Sequence, residues 1–193
     1  NDKRQPFPEE INRRLASQIA DLHFAPTDRA RANLLAEGTP ADRIVVTGNT
    51  VIDALHWVLD KNQTCPSPDV AAIREWAERN VGDRRMVLIT GHRRESFGQG
   101  FESICRAIAA LAADNPGVSW VYPVHLNPNV QEPVRAILGD IDGVHLIDPQ
   151  SYAAFAWLMD RSCLILTDSG GVQEEAPSLG KPVLVMRNKT ERP

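Results

Sequence analysis

Short apolar runs alternate with segments of helical character from residue 70 onward, and this alternation is what most constrains the fold. The strand-like runs are 85–90, 118–122, 144–147, 163–167 and 182–186. The predicted helices are 70–80, 101–113, 130–138, 152–159 and 172–179. Strands that alternate with helices predict βαβ units and therefore a parallel sheet. Because several runs are apolar at every position, we predict an α/β fold with helices on both sheet faces.

The first part of the chain is less regular. Residues 8–20 predict a helix, in which Pro8 suits the first turn and Glu9 and Glu10 suit the positive end of the helix dipole. The remaining predicted elements are a buried strand over 22–25, a helix over 28–37 capped by Thr27, a strand over 44–46 and a helix over 51–59. The polar stretch 62–69 predicts a surface connection, and a domain boundary is expected there or at 47–50. The tryptophans are expected in the core: Trp57, Trp76, Trp120 and Trp157.

Composition narrows the classes of protein. The 193 residues are 42% hydrophobic and carry a net charge of −4, which predicts a folded chain and argues against a nucleic-acid partner. No apolar run approaches the roughly 20 residues of a membrane helix, so no membrane partner is expected. Cys65, Cys105 and Cys163 form no C-x-x-C pair, which favours free thiols in a cytoplasmic protein over disulfides or zinc. The start at Asn1 and the end at Pro193 lead us to expect a fragment.

Polar and cationic residues follow each strand-like run. Ligands of open parallel sheets bind at the carboxyl ends of the strands, so this edge is the expected site. His92 and Arg93 follow 85–90, and His125 follows 118–122. Each histidine is either a structural residue or a catalytic group, and the loops are either ordinary solvated connections or a binding site.

The turn Ser169–Gly171 lies between a predicted strand and a predicted helix. Glycines let a backbone approach a phosphate closely, and the first N–H groups of the helix point at it. Ser169 is either the helix N-cap or a donor to the anion. Glu175, one helical turn later, either stabilises the helix dipole or accepts ribose hydroxyls. Phe155 either stacks on a base or packs in the core.

Five long motifs follow one another along the chain. They are PFPEEINR at 6–13, TGNTVID at 47–53, TGHRRES at 90–96, YPVHLNP at 122–128 and LTDSGGVQEEAP at 166–177. In sequence and in order they resemble the non-hydrolysing UDP-N-acetylglucosamine 2-epimerases. The closing segments GKPVLVMR at 180–187 and TERP at 190–193 fit as well.

The resemblance implies an architecture. It is that of the glycosyltransferase type B fold, with two Rossmann-like domains that face each other across a cleft. Residues 1–50 would be the C-terminal part of the first domain, and 51–193 most of the second, UDP-binding domain. Family members are about twice as long and carry Gly-Thr-Arg-Pro-Glu, His-Gly-Asp and Val-Glu-Ala-Gly-Leu-Arg motifs that this sequence lacks. We therefore expect a truncated epimerase that is inactive alone.

The resemblance also assigns roles to residues. Glu9 and His92 match catalytic groups, and Arg93 and His125 are further candidates. The positions that match contacts to the UDP-sugar are Ser169, Gly170 and Gly171 for the diphosphate, Glu175 for the ribose, Gln150 and Phe155 for the uracil, and Arg192 near the substrate. Glu9 is found only through the resemblance, because its position alone indicates no more than a helix-end charge.

The implied reaction interconverts UDP-N-acetylglucosamine and UDP-N-acetylmannosamine by elimination and re-addition of UDP. The implied protein is a cytoplasmic homodimer in cell-surface polysaccharide biosynthesis that needs no metal and no other cofactor. Two alternatives remain. One is a hydrolysing epimerase or a glycosyltransferase of the same fold, which the intact 90–96 and 8–10 motifs disfavour. The other is a nucleotide-binding module without catalysis.

Overall fold

The computed structural model describes residues 8–93, 98–187 and 190. The chain divides into two compact units, Asn1–Asp53 and Ala54–Pro193. The predicted boundary at residue 50 lies near this division. The assignment of the units to a first and a second domain stays a prediction.

The first unit contains a small parallel sheet. Its elements are α1 (Glu9–Ile19), β1 (His23–Ala25), α2 (Asp28–Ala36), a 3₁₀ turn (Ala41–Arg43) and β2 (Ile44–Val46). The two strands pair in parallel, with His23 opposite Ile44. Thr27 caps α2, since its hydroxyl oxygen accepts a hydrogen bond from the Ala30 N–H at 3.1 Å. A strand is present at 23–25, close to the predicted 22–25, but the prediction that it is buried is wrong apart from Ala25, because this two-stranded sheet leaves Phe24 66% exposed.

Helix α3 (Thr50–Thr64) is longer than predicted. Leu55, Leu59 and Asn62 recur on one helix face and are buried, whereas Trp57 on another face is 63% exposed beneath the Lys61 amine. The core prediction for Trp57 is therefore wrong. The predicted surface connection is wrong at Asn62, which is buried because its amide donates to the Ala153 carbonyl at 2.9 Å.

The second unit is built on five parallel strands. Its elements after α3 are α4 (Pro68–Asn80), β3 (Arg85–Thr90), α5 (Gln99–Asp114), β4 (Val118–Pro123), α6 (Pro128–Leu138), β5 (Val144–Ile147), α7 (Tyr152–Arg161), β6 (Leu164–Thr167), α8 (Gly170–Ser178) and β7 (Val183–Val185). The strands lie in the order β5-β4-β3-β6-β7. Every adjacent pair is parallel, which confirms the predicted α/β class.

Helices cover both faces of this sheet, as the apolar runs predict. Met86 and Leu88 of β3 face one way and pack in a cluster with residues of α3, α4, α7 and α8. Val87 and Ile89 face the other way and pack with residues of α5 and α6. Side chains alternate between the two faces along β3, so this strand contributes residues to two separate cores.

The direction of the chain across the sheet reverses once. From β3 it moves outward through β4 to β5, then returns to the other side of β3 and continues through β6 to β7. The carboxyl ends of β3 and β6 therefore lie side by side, with Thr90 opposite Thr167. In open α/β sheets this reversal point is where ligands bind.

Candidate functional site

The loops after β3 and β6 are joined by one buried carboxylate. Asp168 is 1% exposed, and its Oδ2 atom accepts hydrogen bonds from the backbone N–H groups of His92 and Arg93, both at 2.8 Å. The Asp168 N–H donates in turn to the Thr90 carbonyl at 3.1 Å. These bonds fix the position of the His92 backbone relative to the start of α8.

The side chain of His92 lies at the surface of this site. It is 44% exposed, and its Nδ1 atom lies 3.6 Å from Oδ1 of Asp168. The ring stacks on His125 from the loop after β4, with the ring centres 5.5 Å apart. Nδ1 of His125 accepts a hydrogen bond from the Asn127 N–H at 3.0 Å, so that nitrogen carries no proton in this arrangement. The structure thus brings together both candidate histidines.

Gly91, just before His92, is backed by a buried tyrosine. The Tyr122 hydroxyl donates to the Gly91 carbonyl at 2.8 Å. A Cβ atom at position 91 would lie 3.0 Å from that hydroxyl oxygen, so glycine permits the close approach. Burial raises the pKa of the Tyr122 phenol, which keeps the hydroxyl protonated as a donor.

The predicted anion turn opens α8. Ser169 occupies the N-cap position, but its hydroxyl makes no capping hydrogen bond, so the side chain remains available to a ligand. The Ser169 backbone is held at both ends: its N–H donates to Oγ1 of Thr167 at 3.0 Å, and its carbonyl accepts from the Gln173 amide at 3.0 Å. Gly170 is buried and Gly171 is exposed. The first N–H groups of a helix lack intrahelical partners, which makes this turn suited to an anion.

Glu175 is 6% exposed and points back toward this turn. Its Oε2 atom lies 3.8 Å from the place where a Cβ of residue 171 would stand. Its Oε1 atom accepts a hydrogen bond from the Tyr152 hydroxyl at 2.7 Å. Burial, together with this bond, raises the pKa of the Tyr152 phenol, so Tyr152 remains the donor of the pair.

Gln150 lies in the loop that follows the carboxyl end of β5, and Phe155 lies in the first turn of α7. Gln150 lines a groove between that loop and α4, and Trp76 and Pro149 line the same groove. Phe155 is half-buried and packs against the core, so core packing accounts for part of its role. Because Tyr152 bonds to Glu175, this region is linked to the turn at Ser169.

Two further predicted site residues belong to other parts of the chain. Glu9 is the first residue of α1 in the other unit and is exposed. Its neighbour Glu10 forms ion pairs with Arg13 and Arg14 of the same helix. Arg192 lies outside the described residues.

Within residues 8–93, 98–187 and 190, no group of three His, Cys, Asp or Glu side chains could hold a metal ion. In the same part of the chain, no helix is both long and apolar enough to cross a membrane.

Comparison with known proteins identifies the family. The sequence profile of the UDP-N-acetylglucosamine 2-epimerases matches residues 1–193. The chain belongs to the UDP-N-acetylglucosamine 2-epimerase family. The epimerase of Salmonella typhimurium is 59% identical over 192 residues, which cover 100% of this chain and 51% of that protein.

Solved structures agree with this assignment. The epimerase of Neisseria meningitidis bound to UDP-GlcNAc is 48% identical, with a TM-score of 0.87 over 100% of this chain and 51% of the other. Staphylococcus aureus MnaA in complex with UDP is 45% identical, with a TM-score of 0.84 over 100% of this chain and 50% of the other. The chain thus spans about half the length of the epimerases it matches.

Two residues that help to form this candidate site were not among the predicted ones. Asp168 follows β6 directly within the LTDSGG motif, so its position at a strand end was an available signal. Tyr152 carries no such signal, because only the packing of α7 against α8 brings its hydroxyl to Glu175.

Proposed function

We propose that this chain is the UDP-binding part of a non-hydrolysing UDP-N-acetylglucosamine 2-epimerase and that it supplies His92 to the reaction. The observation that carries the proposal is the assembly of three features at one reversal point. These are the turn Ser169–Gly171, the carboxylate of Glu175 and the ring of His92. The ligand named for the Neisseria meningitidis relative, UDP-GlcNAc, fits this combination.

The binding roles follow from the chemistry of each group. The diphosphate would accept hydrogen bonds from the first N–H groups of α8 and from the Ser169 hydroxyl, where the helix dipole favours negative charge. Oε2 of Glu175, which faces that turn, would accept the ribose hydroxyls. Gln150 would pair with the uracil edge in the groove beside Trp76, and Phe155 would contact its face. Arg192 remains a proposed contact from the resemblance alone.

The reaction requires removal of a weakly acidic proton. A base takes the proton from C2 of the sugar while the C1–oxygen bond to the diphosphate breaks, giving 2-acetamidoglucal and UDP. Return of the UDP oxygen to C1 and of a proton to the opposite face of C2 completes the inversion. We assign acid–base roles to His92 and Glu9, and stabilisation of the departing diphosphate to the turn at Gly170. Arg93 and His125 would support His92.

We also propose a cytoplasmic location. Cys65, Cys105 and Cys163 are free thiols, as in proteins of reducing compartments. The homodimer implied by the family resemblance is part of the same proposal.

The test uses the longest natural protein that contains this sequence. The protein is incubated with UDP-N-acetylglucosamine in D₂O, and the products are monitored by NMR. The expected product is UDP-N-acetylmannosamine with deuterium at C2. His92→Ala should lower kcat about 10²- to 10⁴-fold, the usual contribution of a general base, while calorimetry finds UDP affinity unchanged. Asp160→Asn, a surface substitution on α7, is the matched control. Release of free N-acetylmannosamine would instead favour a hydrolysing enzyme, and wild-type turnover in His92→Ala would remove His92 from the mechanism.

A further inference from the structure

We infer that Asp168 is a positioning residue for His92: it holds the His92 backbone and also fixes which ring nitrogen carries the proton. The inference rests on the proposed function for its catalytic consequence, but its structural part stands apart from it. The observation behind it is a buried carboxylate whose two oxygens face different parts of the same histidine.

The two oxygens of Asp168 have different partners. Oδ2 accepts the N–H groups of His92 and Arg93, and this tie fixes the loop after β3. Oδ1 is buried and has no hydrogen-bond partner among the described residues. It lies 3.6 Å from Nδ1 of His92, just beyond hydrogen-bond distance. A buried acceptor without a partner is costly, so a small rotation of the ring that forms this bond is favourable.

The bond would determine the tautomer of His92. A carboxylate can only accept, so a hydrogen bond to Oδ1 requires a proton on Nδ1. In the neutral ring, Nε2 then keeps its lone pair and is the nitrogen that can take a proton from a substrate. Nδ1 of His125 already accepts from the Asn127 N–H, so the stacked ring offers no competing acceptor at that atom.

Asp168→Asn separates the two roles. The asparagine oxygen can still accept hydrogen bonds from both backbone N–H groups, so the loop after β3 stays attached to residue 168. Its amide nitrogen then takes the place of Oδ1 and donates toward Nδ1 of His92, which favours the opposite tautomer. A residue that only tied the loop would tolerate this change, whereas a positioning residue would not.

The first measurement is the tautomer, in the longest natural protein that contains this chain. Long-range ¹H–¹⁵N correlation spectra of ¹⁵N-histidine-labelled protein, with His92→Gln to assign the signals, should show the proton on Nδ1 in the wild type. In Asp168→Asn the proton should move to Nε2. A wild-type ring protonated on Nε2 overturns the inference, and this outcome does not depend on the folding of Asp168→Asn.

The second measurement is kinetic. Asp168→Asn should lower kcat about 10²- to 10⁴-fold, as loss of a correctly oriented base does, with KM and UDP affinity unchanged. Asp160→Asn is again the control. Wild-type kcat in Asp168→Asn overturns the inference. A wild-type protein without epimerase activity would refute the proposed function, and the tautomer measurement alone would then decide the inference.

Discussion

At the scale of single residues, a substitution of Tyr152 tests whether its hydrogen bond holds the Glu175 carboxylate in place for a ligand. Tyr152→Phe keeps the ring and removes only the hydroxyl that donates to Oε1 of Glu175. Loss of a hydrogen bond to a carboxylate costs about 1.5–3 kcal/mol, so UDP affinity should fall about 10- to 150-fold by calorimetry. The control is a double-mutant cycle with Glu175→Gln. Additive effects in that cycle would show that Tyr152 does not act through Glu175.

A substitution of Gly171 tests whether the turn Ser169–Gly171 binds a phosphate, because the fold has room there for a methyl group. A Cβ at this position would lie 3.8 Å from Oε2 of Glu175 and 3.9 Å from Oγ of Ser169, both ordinary contact distances. Gly171→Ala should therefore leave the stability of the fold intact or raise it slightly, since alanine favours helix. The methyl would block a phosphate and remove a charge-assisted hydrogen bond worth about 1.5–3 kcal/mol.

The measurement is calorimetric titration with UDP, and the expected loss is roughly 10- to 150-fold in affinity. Gly100→Ala, in the first turn of α5 with open space around its Cβ, is the matched control and should bind normally. Equal affinities in the two variants would mean that the α8 turn contacts no phosphate.

At the scale of elements, α1 is joined to α2 by charged side chains. Arg13 donates to both Glu10 and Glu37, at 2.7–2.9 Å. Hydrogen bonds from Arg13 and then Arg14 lower the pKa of the Glu10 carboxyl to about 2. Folding thus lowers this pKa, so the Glu10 carboxylate stabilises the folded unit above pH 4.5, and that contribution is lost as the pH falls toward 2.

Glu10→Gln should therefore weaken the decline in stability of α1 between pH 5 and about pH 2. Amide hydrogen exchange in α1, measured across this range, gives the difference between variant and wild type. Asp42→Asn removes an exposed carboxylate of the same unit and is the control. The same pH dependence in Glu10→Gln and wild type would show that the ion pairs of Glu10 with Arg13 and Arg14 contribute nothing to the stability of α1.

At the scale of the whole molecule, this chain spans half of its relatives, and the first unit exposes large apolar side chains. Ile19 is 83% exposed and Leu15 is 60% exposed. We expect purified residues 1–193 to bind UDP more weakly than the longest natural protein that contains them, and to form no UDP-N-acetylmannosamine. Well-placed catalytic groups reach effective molarities of about 10⁵ M or more, so partial assembly forfeits most of the rate.

The measurement is a UDP titration by NMR followed by a product assay with UDP-N-acetylglucosamine. UDP binding without product is the expected result. Formation of UDP-N-acetylmannosamine by residues 1–193 would show that this half of an epimerase-length protein is sufficient for catalysis.

Local patterns were enough to predict much of the second unit. Its helices and strands lie close to the predicted ranges, because periodicity and capping act over a few neighbouring residues. The same patterns predicted the elements of the first unit to within a residue at each end, but they did not predict the exposure of Phe24 and Trp57 or the full length of α3. Asn62 is polar and therefore predicted a surface position, but its burial depends on the Ala153 carbonyl, 91 residues away.

The sequence by itself determined the α/β class, the two-sided burial of the sheet and the family, since each depends on residues close together in the chain. Tertiary structure alone decided the strand order, and with it the reversal between β3 and β6. That reversal brings Asp168 to the His92 backbone across 76 residues, and helix packing brings Tyr152 to Glu175 across 23. Local periodicity cannot encode such contacts, because they depend on which strands and helices become neighbours when the two cores form.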